Sequence, residues 1–169
     1  AEQRFLQAIE SDTRNWAARN SFDRFLCERG RATEGIGQFQ EALGNPFNQQ
    51  AYISEFGLGI FYAGTGDWDN ASFYLKRALK GSSDLNSALY HLAEVSYAQE
   101  NYLSARGFLE RYFEDGSSSP QSLLLAVHNE MKLGVDEISR NYARLLRSRY
   151  PSAGEVITAM ELLETDDHG

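Results

Sequence analysis

His91 and Glu94 stand three residues apart, a spacing at which two side chains on one helical face can converge on a shared cation. A protein metal site needs more donors than two, and no second pair at ligand spacing accompanies them. His128 and Glu130 make a similarly incomplete set, and His168 falls in a polar tail. Surface pairs without a metal are expected. Cys27 is the only cysteine, so it makes no internal disulfide and no thiolate metal site. Without a histidine nearby in sequence to take its proton, it is expected to pack as a small apolar residue. The glycines of Gly57-Leu58-Gly59 and Gly64-Thr65-Gly66 lack the third glycine of a dinucleotide fingerprint. The Lys-Ser/Thr pair of a phosphate loop is missing too, and no Gly-x-Ser-x-Gly elbow occurs. The expectation is a protein with no catalytic residue, no metal and no cofactor, and therefore not an enzyme.

Composition narrows the partners. The 169 residues carry 16 Lys and Arg against 24 Asp and Glu, a formal charge of −8, whose average field repels nucleic acid. Apolar residues make up 42%, enough for a real core. Pro46, Pro120 and Pro151 are the only prolines, so long helices fit between them. Nothing resembles a signal peptide or an 18-residue apolar run.

What positions the residues is a repeat. Leu58-Gly59, Tyr62, Gly66-Asp67-Trp68, Ala71, Leu75 and Ala78 define a phase. Thirty-four residues later it returns as Leu92-Ala93, Tyr102, Ala105, Leu109 and Tyr112. A further 34 give Ala126-Val127, Gly134, Ser139, Ala143 and Leu146, closed by Pro151. A backward step of 36 gives Phe22, Leu26, Gly30, Gly35, Phe39 and Ala42. Small residues let paired helices approach to roughly 8–10 Å, large ones fill the seam, and glycine suits a left-handed turn residue. One hairpin cannot bury its apolar stripe, so neighbours must stack. Spacing and residue types resemble the tetratricopeptide (TPR) repeat.

The predicted fold class is all-α, a TPR superhelix of antiparallel helix pairs (an α-solenoid) with a C-terminal capping helix. One domain is expected over 1–169: a half repeat at 1–10, repeats at 16–49, 52–85, 86–119 and 120–151, a capping helix at 153–164 and a frayed tail at 165–169. Val156, Ile157, Met160 and Leu163 give the cap its helical spacing. Ala1, Phe5 and Ala8 fit the second helix of a repeat, so upstream sequence carrying the first is expected.

In TPR arrays the first helix of each pair lines a groove. The inward positions begin with Ala17, Asn20, Arg24 and Cys27, where Arg24 is the only basic residue of the whole set. The candidate partner-binding groove is Ile53, Phe56, Ile60, Tyr90, Glu94, Tyr97, Leu124 and His128. Its apolar middle suits a hydrophobic or extended segment of a protein partner. The same residues also suit cover by a neighbouring helix or an upstream repeat. Arg140, Arg144 and Arg147 share a helical face and form a candidate basic patch, suited to an acidic partner or lipid heads, or to plain solvation.

Three stretches, 101–112, 122–125 and 145–152, carry a closer likeness. With the run from Phe25-Leu-Cys-Glu28 to Ala42-Leu43, they resemble the TPR pilotins of type IV pili, the PilF/PilW family. That resemblance implies a protein-binding scaffold that assists outer-membrane localisation and multimerisation of the pilus secretin. It implies a secretin subunit as partner and the periplasmic face of the outer membrane as location. Membrane association is then expected only through a lipidated N-terminus upstream of this sequence, and a monomer is expected. The alternative is a generic TPR adaptor or co-chaperone that clamps a partner peptide, which calls for more groove lysines and arginines than these.

Overall fold

Nine helices are described: α1 (Glu2–Ser11), α2 (Ala32–Gly44), α3 (Ala51–Thr65), α4 (Trp68–Gly81), α5 (Asn86–Ala98), α6 (Tyr102–Phe113), α7 (Pro120–Lys132), α8 (Asp136–Arg149) and α9 (Gly154–Asp166). In this computed structural model the described residues are 2–11, 25, 32–44, 48–83 and 85–166, and among them there is no strand. Ala17, Asn20, Arg24, Cys27, Gly30 and His168 lie outside the described residues. The fold class is all-α. The chain forms two compact units, Ala1–Ala88 and Leu89–Gly169.

Three turns 34 residues apart share one hydrogen-bond pattern. Between α3 and α4, Gly66 N–H donates to Ala63 O at 3.2 Å and Asp67 N–H to Tyr62 O at 2.9 Å. Between α5 and α6, Glu100 N–H donates to Tyr97 O and Asn101 N–H to Ser96 O, at 2.9 and 2.8 Å. Between α7 and α8, Gly134 and Val135 donate to Met131 O and Glu130 O, at 3.0 and 2.9 Å. This motif satisfies carbonyls that a helix end leaves open, and it needs a left-handed residue at its centre. The central φ values are +78° at Gly66, +59° at Glu100 and +69° at Gly134. The next residue starts the second helix: the carboxylate of Asp67 accepts from Asn70 N–H, and the Asn101 side chain accepts from Ser104 N–H.

In the first unit α3 packs on both α2 and α4. Leu58, Ala71, Leu75 and Ala78 are fully buried, each leucine contributing about 2 kcal/mol by apolar burial. The α3–α4 pair closes on glycine. A β-carbon at Gly59 would fall 2.6 Å from Leu75 Cγ, and one at Gly81 would fall 2.7 Å from Tyr52 Cβ. The Tyr62 and Tyr74 rings stack across the pair, 5.5 Å apart and 6° from parallel.

In the second unit Ala93, Leu109 and Ala126 bring α5, α6 and α7 together, with Phe108, Phe113, Leu125 and Tyr142 packed around them. Leu123, Val127, Ala143, Leu146 and Ala159 make the neighbouring cluster. Ser119 and Ser122 cap the start of α7 reciprocally, and Pro120 stands at its first turn, where no N–H is needed. Helix α9 packs on α7 and α8, burying Ala159 with Val156, Met160 and Leu163 alongside. Ile157, expected on that face, is instead 64% exposed. The small side chain of Ala159 lets α9 sit close, and about 200° of helical turn separates it from Ile157.

Candidate partner-binding face

On α3 the expected groove residues Ile53, Phe56 and Ile60 run beside the buried residues Ser54, Glu55, Leu58 and Gly59. All three side chains are half-buried, so one flank of each meets the unit and the other meets solvent. Spacings of three and four residues keep them on one strip.

The second unit carries a more polar line. Tyr90, Glu94 and Tyr97 follow the same spacing on α5 and are half-buried. Tyr90 O–H donates to Glu94 Oε1 at 2.7 Å, and His91 Nδ1 lies 2.7 Å from the other carboxylate oxygen. Burial first, and then the Glu94 carboxylate, push the Tyr90 phenol well above its ordinary range. Burial raises Tyr97 as well. Both tyrosines therefore stay neutral and offer a ring face, and Tyr97 an O–H group besides, since that of Tyr90 is taken by Glu94.

The geometry links α5 to α7. The Tyr97 and His128 rings meet edge to face, 6.4 Å apart. Burial, then the ammonium of Lys132, lowers the His128 pKa below its ordinary value, so neutral imidazole is favoured. Leu124 is half-buried and leans on the cluster of Leu123, Val127 and Ala159, so the core takes part of its surface. His128 and Glu130 diverge: Glu130 turns inward and is 2% exposed. Among the described residues no three His, Cys, Asp or Glu side chains converge as a metal site would require.

Arg140, Arg144 and Arg147 are exposed on α8. Arg144 Nε donates to Arg140 O at 3.4 Å. Arg149, outside that strip, donates to Ser118 Oγ at 2.8 Å.

Sequence reasoning passed over two buried carboxylates. Glu55 accepts from Arg77 Nε at 2.7 Å, tying α3 to α4. Glu130 accepts from Arg106 through both oxygens, tying α7 to α6. A glutamate within an otherwise apolar helical stripe was the available signal, since a buried carboxylate demands a cation. Its partner, more than 20 residues away, has no local signal.

This geometry has relatives. The family profile described as anaphase-promoting complex, cyclosome, subunit 3 matches residues 64–134. The type IV pilus assembly protein PilF of Pseudomonas aeruginosa is 23% identical over 156 residues. That match covers 92% of this chain, which spans 62% of that protein's length. The crystal structure of PilW, a widely conserved type IV pilus biogenesis factor, superposes with a TM-score of 0.84 at 26% identity, covering 95% of this chain and 74% of PilW. YrrB, a TPR protein with an unusual peptide-binding site, gives a TM-score of 0.80 at 15% identity, covering 99% of this chain and 86% of YrrB, a likeness of fold. TPR folds are typically non-catalytic modules that bind protein partners. Identity along most of the chain, joined to this stacking of helix pairs, makes the protein a homologue of the PilF and PilW type IV pilus biogenesis proteins.

Proposed function

We propose that this chain holds a protein partner within the type IV pilus machinery and acts as a pilotin. It binds a subunit of the outer-membrane secretin and assists that subunit's localisation and multimerisation. The observation that carries the reading is the 23% identity to PilF along 92% of the chain. The half-buried strip Ile53, Phe56, Ile60 supports it, as do Tyr90, Glu94, Tyr97, Leu124 and His128. An extended, partly apolar segment of the secretin gains about 25 cal/mol per Å² of apolar surface it buries on such strips. Its polar groups meet the neutral phenol of Tyr97, the Tyr90 O–H being held by Glu94. No covalent bond changes, so release needs only a competing surface as the ring assembles. Arg140, Arg144 and Arg147 are a second candidate contact, for an acidic stretch of the same partner. The reading places the protein as a monomer at the periplasmic face of the outer membrane, held by a lipidated N-terminus.

Co-purification tests it. The full-length protein should retain the secretin from detergent extracts, and a Phe56→Ala, Tyr97→Ala variant that still folds should retain several-fold less. A strain lacking the gene should show secretin monomeric or misplaced. Normal secretin multimers in that strain would overturn the proposal. Retention of a cytosolic partner's C-terminal tail instead would favour a generic TPR adaptor.

A further inference from the structure

A cleft of about 350 Å³ opens in the second unit between the end of α6 and the last turns of α8. Its apolar wall is Phe113, Tyr142 and Leu145. The Phe113 and Tyr142 rings lie 5.7 Å apart, inclined by 39°. Glu110 and Glu114, one helical turn apart and both exposed, form the rim. The loop beneath is held in place, because Tyr150 O–H donates to Ser118 O at 2.7 Å and Arg149 donates to Ser118 Oγ at 2.8 Å. The cleft therefore exists before any partner arrives.

Its electrostatics favour one sign. Two carboxylates stand on the rim against one guanidinium, that of Arg149; Arg106, which acts on Glu110 from nearby, is itself balanced by Glu130. Helices α6 and α8 both end at the cleft, and helix C-termini carry partial negative charge from their last carbonyls. Aromatic faces attract cations as well. A purely apolar occupant would desolvate the rim carboxylates without pairing them, and an anion would be repelled.

We propose that the cleft receives a lysine or arginine side chain of a protein partner. Its methylene stem lies on Phe113, Tyr142 and Leu145, and its head group sits between Glu110 and Glu114. This contact lies on the second helices of the hairpins and uses none of the residues of the candidate groove, so it stands or falls apart from the secretin reading.

Titration of the ¹⁵N-labelled chain with the peptide acetyl-Ala-Arg-Ala-amide tests it. Saturable amide shifts should be confined to residues 110–118 and 142–149, with a dissociation constant on the order of millimolar. Replacing arginine by citrulline, which keeps the shape and removes the charge, should weaken binding at least fivefold. The Glu110→Gln, Glu114→Gln variant should do the same at an unchanged melting temperature. Equal binding of the citrulline peptide, shifts scattered over the surface, or tighter binding of acetyl-Ala-Leu-Ala-amide would each overturn the proposal. The citrulline comparison leaves the protein untouched and so decides the matter even if the double variant folds poorly.

Discussion

The ring of Phe39 rests on the backbone of Gly57: a β-carbon at that glycine would fall 2.2 Å from Phe39 Cζ. Phe39 is itself only 2% exposed, so the contact sets how closely α2 approaches α3. Unlike Gly59 and Gly66, Gly57 has no place in the repeat pattern.

Gly57→Ala should therefore lower stability by about 1–3 kcal/mol through overpacking, against a helix-propensity gain of about 1 kcal/mol. Gly64→Ala on the same helix meets open space and should stabilise by up to about 1 kcal/mol. Urea midpoints of the two variants should shift in opposite directions. Adding Phe39→Leu to Gly57→Ala should recover part of the loss. Equal shifts would refute the contact.

Glu100 takes the left-handed conformation that glycine takes at Gly66 and Gly134. A side chain there costs roughly 1–2 kcal/mol, partly offset in glycine by its freer unfolded chain. Glu100→Gly should raise stability by about 1 kcal/mol, and Gly134→Ala should lower it by a similar amount. Thermal unfolding of both variants checks the pair.

Arg106 neutralises a carboxylate that is almost wholly hidden: the side chains are 27% and 2% exposed at Arg106 and Glu130. Asn129 Nδ2 also donates to Glu130 Oε1 at 3.3 Å, but it brings no charge. Arg106→Ala should thus destabilise by about 3–5 kcal/mol, because it strands a buried charge. Replacing both partners by methionine should restore most of the loss, whereas a purely additive double variant would contradict the pairing.

His128 links stability to pH. Its folded-state pKa lies below the unfolded value near 6.5, because burial and Lys132 both disfavour the imidazolium. As pH falls through about 6.5 the unfolded chain takes up the proton first, so the folded state loses stability. Above that range His128 is neutral in both states and contributes nothing. Melting temperatures measured from pH 7.5 down to 5.5 should fall less steeply in His128→Gln than in the parent. Identical slopes would remove His128 as the cause.

The sequence by itself determined which faces of the helices are hidden and where hairpins turn. Leu58, Leu92, Ala71, Ala105, Ser139 and Ala143 are buried at the positions their phase assigns. The turns at 66, 100 and 134 form even where glutamate replaces glycine. Periodicity carries this because a side chain's direction around a helix follows from its number along it. The half-buried positions of the strips proposed to meet a partner, on α3, α5 and α7, were readable on the same ground. Only the tertiary structure decided which residues meet across the helices. Phe39 over Gly57, Arg106 on Glu130, Ala159 rather than Ile157 in the core, and the cleft at Phe113 and Tyr142 all depend on axial offset and closeness of neighbouring helices. Those quantities arise from the fit of particular side chains packed near crystal density, and no repeat length encodes them.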